Sequence, residues 1–84
     1  MHIKNYELIF DKPVLRQLQE AVKNKHIQEI LRTMLDQLEE NGSNSGTLLD
    51  TILHIYEIKN KHPQLRLYYK PLVGTNEILV LNLK

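Results

Sequence analysis

The chain of 84 residues contains no cysteine. That excludes a disulfide framework and any cysteine-ligated zinc site, and it suits a reducing compartment. There is no apolar run long enough to span a bilayer. The opening residues, MHIKNYELIF, do not have the layout of a signal peptide. A cytoplasmic protein without membrane contact is therefore expected. An excess of charge of one sign is missing too, since the formal net charge is +1. The whole-chain charge argues for neither nucleic acid nor membrane, so a basic site must come from local clustering.

Other chemistry is also absent. The three glycines are scattered in turns, so no glycine loop cradles a phosphate. His2, His26, His54 and His62 lack paired ligand spacing, and neither a metal nor a cofactor is expected. Ser43 and Ser45 lie in a polar loop with no fixed base nearby, which argues against a serine nucleophile.

What is present describes a small globular protein, 42% hydrophobic and 25% charged. Its length allows one domain, residues 1–84, around one core. The stretch from His54 to Lys70, HIYEIKNKHPQLRLYYK, organises it. His54, Tyr56 and Ile58 alternate with Ile55, Glu57 and Lys59, and after the turn Leu65, Leu67 and Tyr69 alternate with Arg66, Tyr68 and Lys70. Strand side chains change face at every residue, so this period of two predicts a half-buried β-hairpin. The connector Lys61-His62-Pro63-Gln64 suits the turn, because proline fixes its own φ and keeps the residue before it extended. His54 falls on the covered face and is expected at the edge of the core.

The rest is built around this hairpin. Ile3 to Phe10 predicts a first strand, with Tyr6, Leu8 and Phe10 on one apolar face. Asp11 suits a helix N-cap, with Pro13 in the first turn where its missing N–H costs little. Val14, Leu15, Leu18 and Val22 then form one helical stripe. Asn24-Lys25 marks a break, with asparagine expected to close the first helix. A second helix follows from Ile27 through Ile30, Leu31, Met34, Leu35 and Leu38, ending before Asn41-Gly42. The sequence leaves open an αα-hairpin or one kinked rod; a sharp break favours the hairpin. Residues 41–47, NGSNSGT, read as a flexible polar loop, and Leu48 to Leu53 as a lead into the hairpin with room for a short turn. Val73-Gly74-Thr75-Asn76 supplies a second turn before a last, partly two-faced strand, Glu77 to Leu83. The expected fold is α+β: a small antiparallel sheet in the order β-α-α-β-β-β, with two helices packed on one face.

The polar face of the hairpin has two readings. It is a solvated outer face, as antiparallel sheets often have, or it is a site. Lys59, Lys61, His62, Arg66, Tyr68 and Lys70 cluster there. Lysine and arginine neutralise phosphodiesters, arginine grips them with two N–H groups, and tyrosine stacks on bases. His62 is an exposed turn residue that also adjoins the basic face, where it could move a proton. Metal-free RNA cleavage needs a base for the 2′-hydroxyl, a donor for the leaving 5′-oxygen and cations for the phosphate. A lysine among other cations can serve as the base.

The run Tyr56-Glu57-Ile58-Lys59-Asn60-Lys61-His62-Pro63-Gln64-Leu65-Arg66-Leu67-Tyr68-Tyr69 resembles the RelE/ParE toxin superfamily. It matches the family pattern of an aromatic-basic-apolar-basic strand, a short turn, and a strand in which arginine precedes apolar and tyrosine positions. The segment LLDTILHIYEIKNKHPQLRLYY is similar to the phage-associated branch, where glutamate commonly stands at the place of Glu57 and RelE itself has lysine. The resemblance implies a small antiparallel sheet flanked by two N-terminal helices. It implies a toxin of a toxin–antitoxin pair that cleaves mRNA in the ribosomal A site, with the 2′-hydroxyl as nucleophile and no metal. Lys59 would act in proton transfer or phosphate binding, and Arg66 would stabilise the transition-state phosphate. Lys61 would hold ribosomal RNA from the rim. Lys84 would stand in for the first cation of the family's basic tail, whose stacking tyrosine has no counterpart here. Two other functions are compatible with the same fold: a non-catalytic binding module or decayed toxin, and a ParE-like inhibitor of DNA gyrase.

Overall fold

The two periodicities become a helical layer over a sheet. The computed structural model describes residues 3–84, so His2 lies outside the described residues. The chain runs β1 (Glu7–Phe10), α1 (Lys12–Ala21), α2 (Lys25–Asn41), a 3-10 turn (Gly42–Ser45), β2 (Thr47–Asp50), β3 (Ile55–Asn60), β4 (Leu65–Pro71) and β5 (Glu77–Leu83). The strands form one sheet in the order β1-β5-β4-β3-β2. No helix among the described residues is long and apolar enough to cross a membrane.

The helices start where their side chains can satisfy free N–H groups. Asp11 accepts a hydrogen bond from the Val14 amide at 3.2 Å, with proline in the first turn. Asn24 accepts from the amides of His26 and Ile27, so it opens α2 rather than closing α1. An extended asparagine whose side chain reaches the next turn is an N-cap. The break expected there is real, and α1 and α2 are separate helices.

One face of the sheet meets the helices. Val14 of α1 and Leu31, Met34 and Leu38 of α2 pack with Ile58, Leu67, Tyr69, Ile78 and Val80. Leu15 sits off this core and is exposed, although it belongs to the apolar stripe of α1. Full burial of side chains of this size stabilises by about 1.5–3 kcal/mol each. Tyr56 stacks on Tyr69, with ring centroids 5.5 Å apart.

The structure corrects four expectations besides Asn24. First, the sheet is mixed, because β1 pairs with β5 in parallel: Leu8 lies beside Ile78 and Phe10 beside Val80. A parallel pair needs a long crossover, which the two helices and the intervening strands provide. Nothing in the residues of β1 specifies its direction. Second, β1 begins at Glu7 rather than Ile3. The amides of Asn5 and Tyr6 both donate to the Glu39 carbonyl near the end of α2, so these residues bond to a helix instead of a strand.

Third, the polar segment before the hairpin is ordered and leads into an additional strand. The order is therefore β-α-α-β-β-β-β. Strand β2 is short, carries adjacent leucines instead of alternation, and among the described residues pairs only with β3. Gly42, at φ 59°, lies under the ring of Tyr6, and Gly46 lies against the Glu57 carbonyl. Fourth, His54 is exposed at φ 56°, outside the strand. Asp50 accepts from the amides of Ile52 and Leu53, which makes a turn that ends just before Ile55.

Candidate functional site: a cationic face across three strands

The outer side of the hairpin is set by its register. Lys59 lies opposite Arg66, Glu57 opposite Tyr68, and Tyr56 opposite Tyr69. The alternation read from the sequence thus puts Lys59 and Arg66 side by side. Residues opposite each other in a ladder point to the same face. The third strand extends the row. Arg66 and Lys84 exchange N–H···O bonds in both directions, each 2.8 Å long. Lys59, Arg66 and Lys84 therefore stand abreast on β3, on β4 and just past the end of β5.

Two shallow hollows meet at Arg66. One, of about 280 Å³, is lined by Lys59, Asn60, Lys61, His62, Gln64 and Arg66. The other, of about 290 Å³, is lined by Gln64, Arg66, Tyr68 and Lys84. Lys59, Lys61, His62 and Lys84 are exposed, while Arg66 and Tyr68 are half-buried. Asn60 shapes the turn by donating to the Pro63 carbonyl at 2.9 Å.

Lys70 is not part of this cluster. It pairs with Leu79 and lines neither hollow. Four residues along a strand from Arg66, it is about 13 Å away.

Two residues of this face were not singled out by sequence reasoning. Gln64 lines both hollows. The signal was its parity, because Gln64, Arg66 and Tyr68 continue one period-2 series back into the turn. Glu57 was placed on the polar face, but its burial was not foreseen. It is 9% exposed, and its Oε2 lies 3.7 Å from Arg66 Nη1. A carboxylate at that distance orients the guanidinium and offsets part of its charge.

Chemically, the row puts Lys59, Arg66 and Lys84 together on one face of a chain whose formal net charge is only +1. Arginine offers paired N–H donors to phosphate oxygens, and the flanking lysines act as point charges. Tyr68 presents a ring beside the arginine.

No protein-family model matches the chain, and no curated protein matches it in sequence. Solved structures do match. A chain of the intact E. coli RelBE toxin–antitoxin complex aligns with a TM-score of 0.80 at 22% identity, covering 93% of each chain. A mutant of the E. coli toxin RelE in the free state aligns with a TM-score of 0.76 at 21% identity, covering 94% of this chain and 81% of that one. The RelBE2 toxin–antitoxin complex of Mycobacterium tuberculosis aligns with a TM-score of 0.73 at 13% identity, covering 98% of each chain. This chain has the fold of the RelE toxins.

Proposed function

We propose that the protein is a RelE-like toxin of a toxin–antitoxin pair and that it cleaves mRNA on the ribosome. One observation carries the reading: Lys59 on β3, Arg66 on β4 and Lys84 just past β5 stand abreast on one face of a RelE fold. In the proposed step, the 2′-oxygen attacks the neighbouring phosphorus as its proton passes to a base. The bond from phosphorus to the 5′-oxygen breaks, and that oxygen leaves with a proton. The products are a 2′,3′-cyclic phosphate and a 5′-hydroxyl end.

Arg66 is the group suited to the non-bridging oxygens, because a guanidinium can hold two of them at once. Lys59, directly opposite, would transfer a proton or make a second phosphate contact. Lys84 adds charge on the other side, where Tyr68 offers a ring for a base. Lys61 and His62 line the opposite hollow and would hold RNA at its rim. Lys70, outside both hollows, would contribute only long-range attraction. The proposed partners are a cognate antitoxin, mRNA and the ribosome, in the cytoplasm.

The test is conditional expression in a bacterium, following growth and mRNA cuts on translating ribosomes, with Arg66→Ala alongside. Growth arrest with codon-phased cuts that vanish in the variant is expected. Healthy growth and intact mRNA, from folded protein, would reject the reading. Arrest with DNA damage in place of mRNA cuts would move the target to gyrase.

A second reading is favoured by a different observation. A hollow of about 440 Å³ lies between the helices and β1, where the apolar side chains of Leu8, Phe10, Leu18, Val22, Leu31 and Leu35 are joined by Lys4, Gln28, Arg32, Asp36 and Glu39. A non-catalytic module would use it to dock a partner segment. It predicts a stable complex with no RNA cleavage.

A further inference from the structure

We infer that Gln17 of α1 is a positioning residue, which holds a bulge in β5 and thereby brings Lys84 to its place opposite Arg66. The purpose assigned to the clamp rests on the proposed reading of this face as a phosphate site. The clamp itself rests on register and hydrogen bonds.

From Ile78 to Val80, β5 runs in step with β4: Pro71 faces Ile78, Lys70 faces Leu79 and Tyr69 faces Val80. Continued unchanged, that register would set Leu81 against Tyr68, Asn82 against Leu67 and Leu83 against Arg66. A one-residue slip moves every side chain to the other face. An amide would then oppose a core leucine, and a leucine would oppose the arginine. The observed register shifts between Tyr68 and Tyr69, so that Tyr68 faces Asn82 and Leu67 faces Leu83. Leu81 is the extra residue. Leu83 is thereby returned to the core, and Lys84 bonds to Arg66.

The bulge bends the strand, and beyond it the Leu83 amide, next to the bonded pair Arg66–Lys84, points away from β4 on the side that β1 leaves open after Val80. Gln17 meets that amide from a neighbouring element. Its Oε1 accepts from the Leu83 amide at 3.0 Å, and its Nε2 donates to Asn82 Oδ1 at 2.7 Å. Both bonds are partly buried, where water competes poorly. A helix that supplies no residue to the cationic row thus sets where its third cation stands.

The experiment uses the full chain, with amide hydrogen exchange and an NMR titration with inorganic pyrophosphate at low salt. In the wild type, the amides of Arg66 and Lys84 should exchange slowly, and pyrophosphate should shift Arg66, Tyr68 and Lys84. Gln17→Ala should leave Ile78 and Val80 protected but speed exchange at Arg66 and Lys84 by about tenfold or more. It should weaken pyrophosphate about five- to tenfold, as should Lys84→Ala. The double variant should bind no more weakly than either single one. Gln17→Glu, which keeps the oxygen that accepts from Leu83, should keep Lys84 protected. Unchanged protection in Gln17→Ala, additive losses in the double variant, or wild-type protein whose Lys84 ignores pyrophosphate would each overturn the inference. Failure of mRNA cleavage by the wild type would reject the toxin reading and leave the exchange result standing.

Discussion

Arg66 and Lys84 are bonded to each other through both of their backbone amides, at 2.8 Å in each direction. A hydrogen-bonded pair of this kind sets two side chains directly opposite each other on one face of the sheet. The two cations repel, and the pairing persists because the backbone enforces it. An incoming phosphate would relieve that repulsion by standing between them.

The first prediction concerns salt. If Lys84 meets an RNA phosphate, Lys84→Ala should flatten the dependence of RNA affinity on salt. The slope of log affinity against log salt should fall by about 0.7 for one contact to a single strand. Binding measured across a range of sodium chloride concentrations checks this. An unchanged slope would remove Lys84 from the interface.

The second concerns the Glu57–Arg66 pair. Arg66→Ala takes the cation away from a carboxylate that is only 9% exposed. The pair is long and the arginine is 43% exposed, so the loss should be about 1–2 kcal/mol, less than for a fully buried pair. Adding Glu57→Gln should recover most of it, since a neutral amide is cheaper to leave buried. Urea unfolding of the two single variants and the double variant checks the expectation. It also separates loss of activity from loss of folding.

The third is a pH dependence. Burial pushes the Tyr69 hydroxyl up from 10.0 to about 12, while a hydrogen bond with the Gly46 backbone pulls the other way. The folded state therefore favours the neutral phenol. Stability from this group is complete below pH 10, declines as pH rises past the unfolded value, and is gone above about pH 12. The full loss is about 2–3 kcal/mol. Tyr69→Phe should abolish the decline, and at neutral pH it should cost only about 0.5–1.5 kcal/mol, because the hydroxyl's bonds to Ser43 and Gly42 are long, at 3.3 and 3.5 Å. Unfolding midpoints between pH 8 and pH 12 would show a flat profile if the reasoning is wrong.

The fourth concerns the turn before β2. Gly42 has φ 59°, and a Cβ there would press into the Tyr6 ring. At Gly46 a Cβ would collide with the backbone carbonyl of Glu57, which cannot swing aside as a side chain can. Gly46→Ala should therefore cost more than Gly42→Ala, with both in the range of about 1–3 kcal/mol. Thermal unfolding of the two variants gives the order directly. Equal or negligible losses would show that the turn yields.

Much of this molecule was legible as local pattern. The alternation of Tyr56, Ile58, Leu67 and Tyr69, together with a turn at Lys61–Gln64, was enough to give the hairpin and to put Lys59 and Arg66 on its polar face, and the register then sets the two opposite each other. The apolar spacing of Leu31, Met34 and Leu38 was enough for α2 and its buried side. Both follow from the repeat of a single element, two residues for a strand and 3.6 for a helix, and that repeat is written in neighbouring residues.

Tertiary structure alone decided the rest. The direction of β1 depends on how the chain returns to β5, and strand β2 exists because β3 offers it an edge. Glu57 is buried on the polar face, between β2 and β4, where Thr47 and Tyr68 flank it. Lys84 reaches Arg66 only because β5 gains one residue against β4 at a place where Gln17 can hold it. Such features arise from pairing between remote segments, and their energy is shared by residues that no local window contains. Composition and periodicity determined which residues form the hairpin and its two faces; packing determined which third cation joins them.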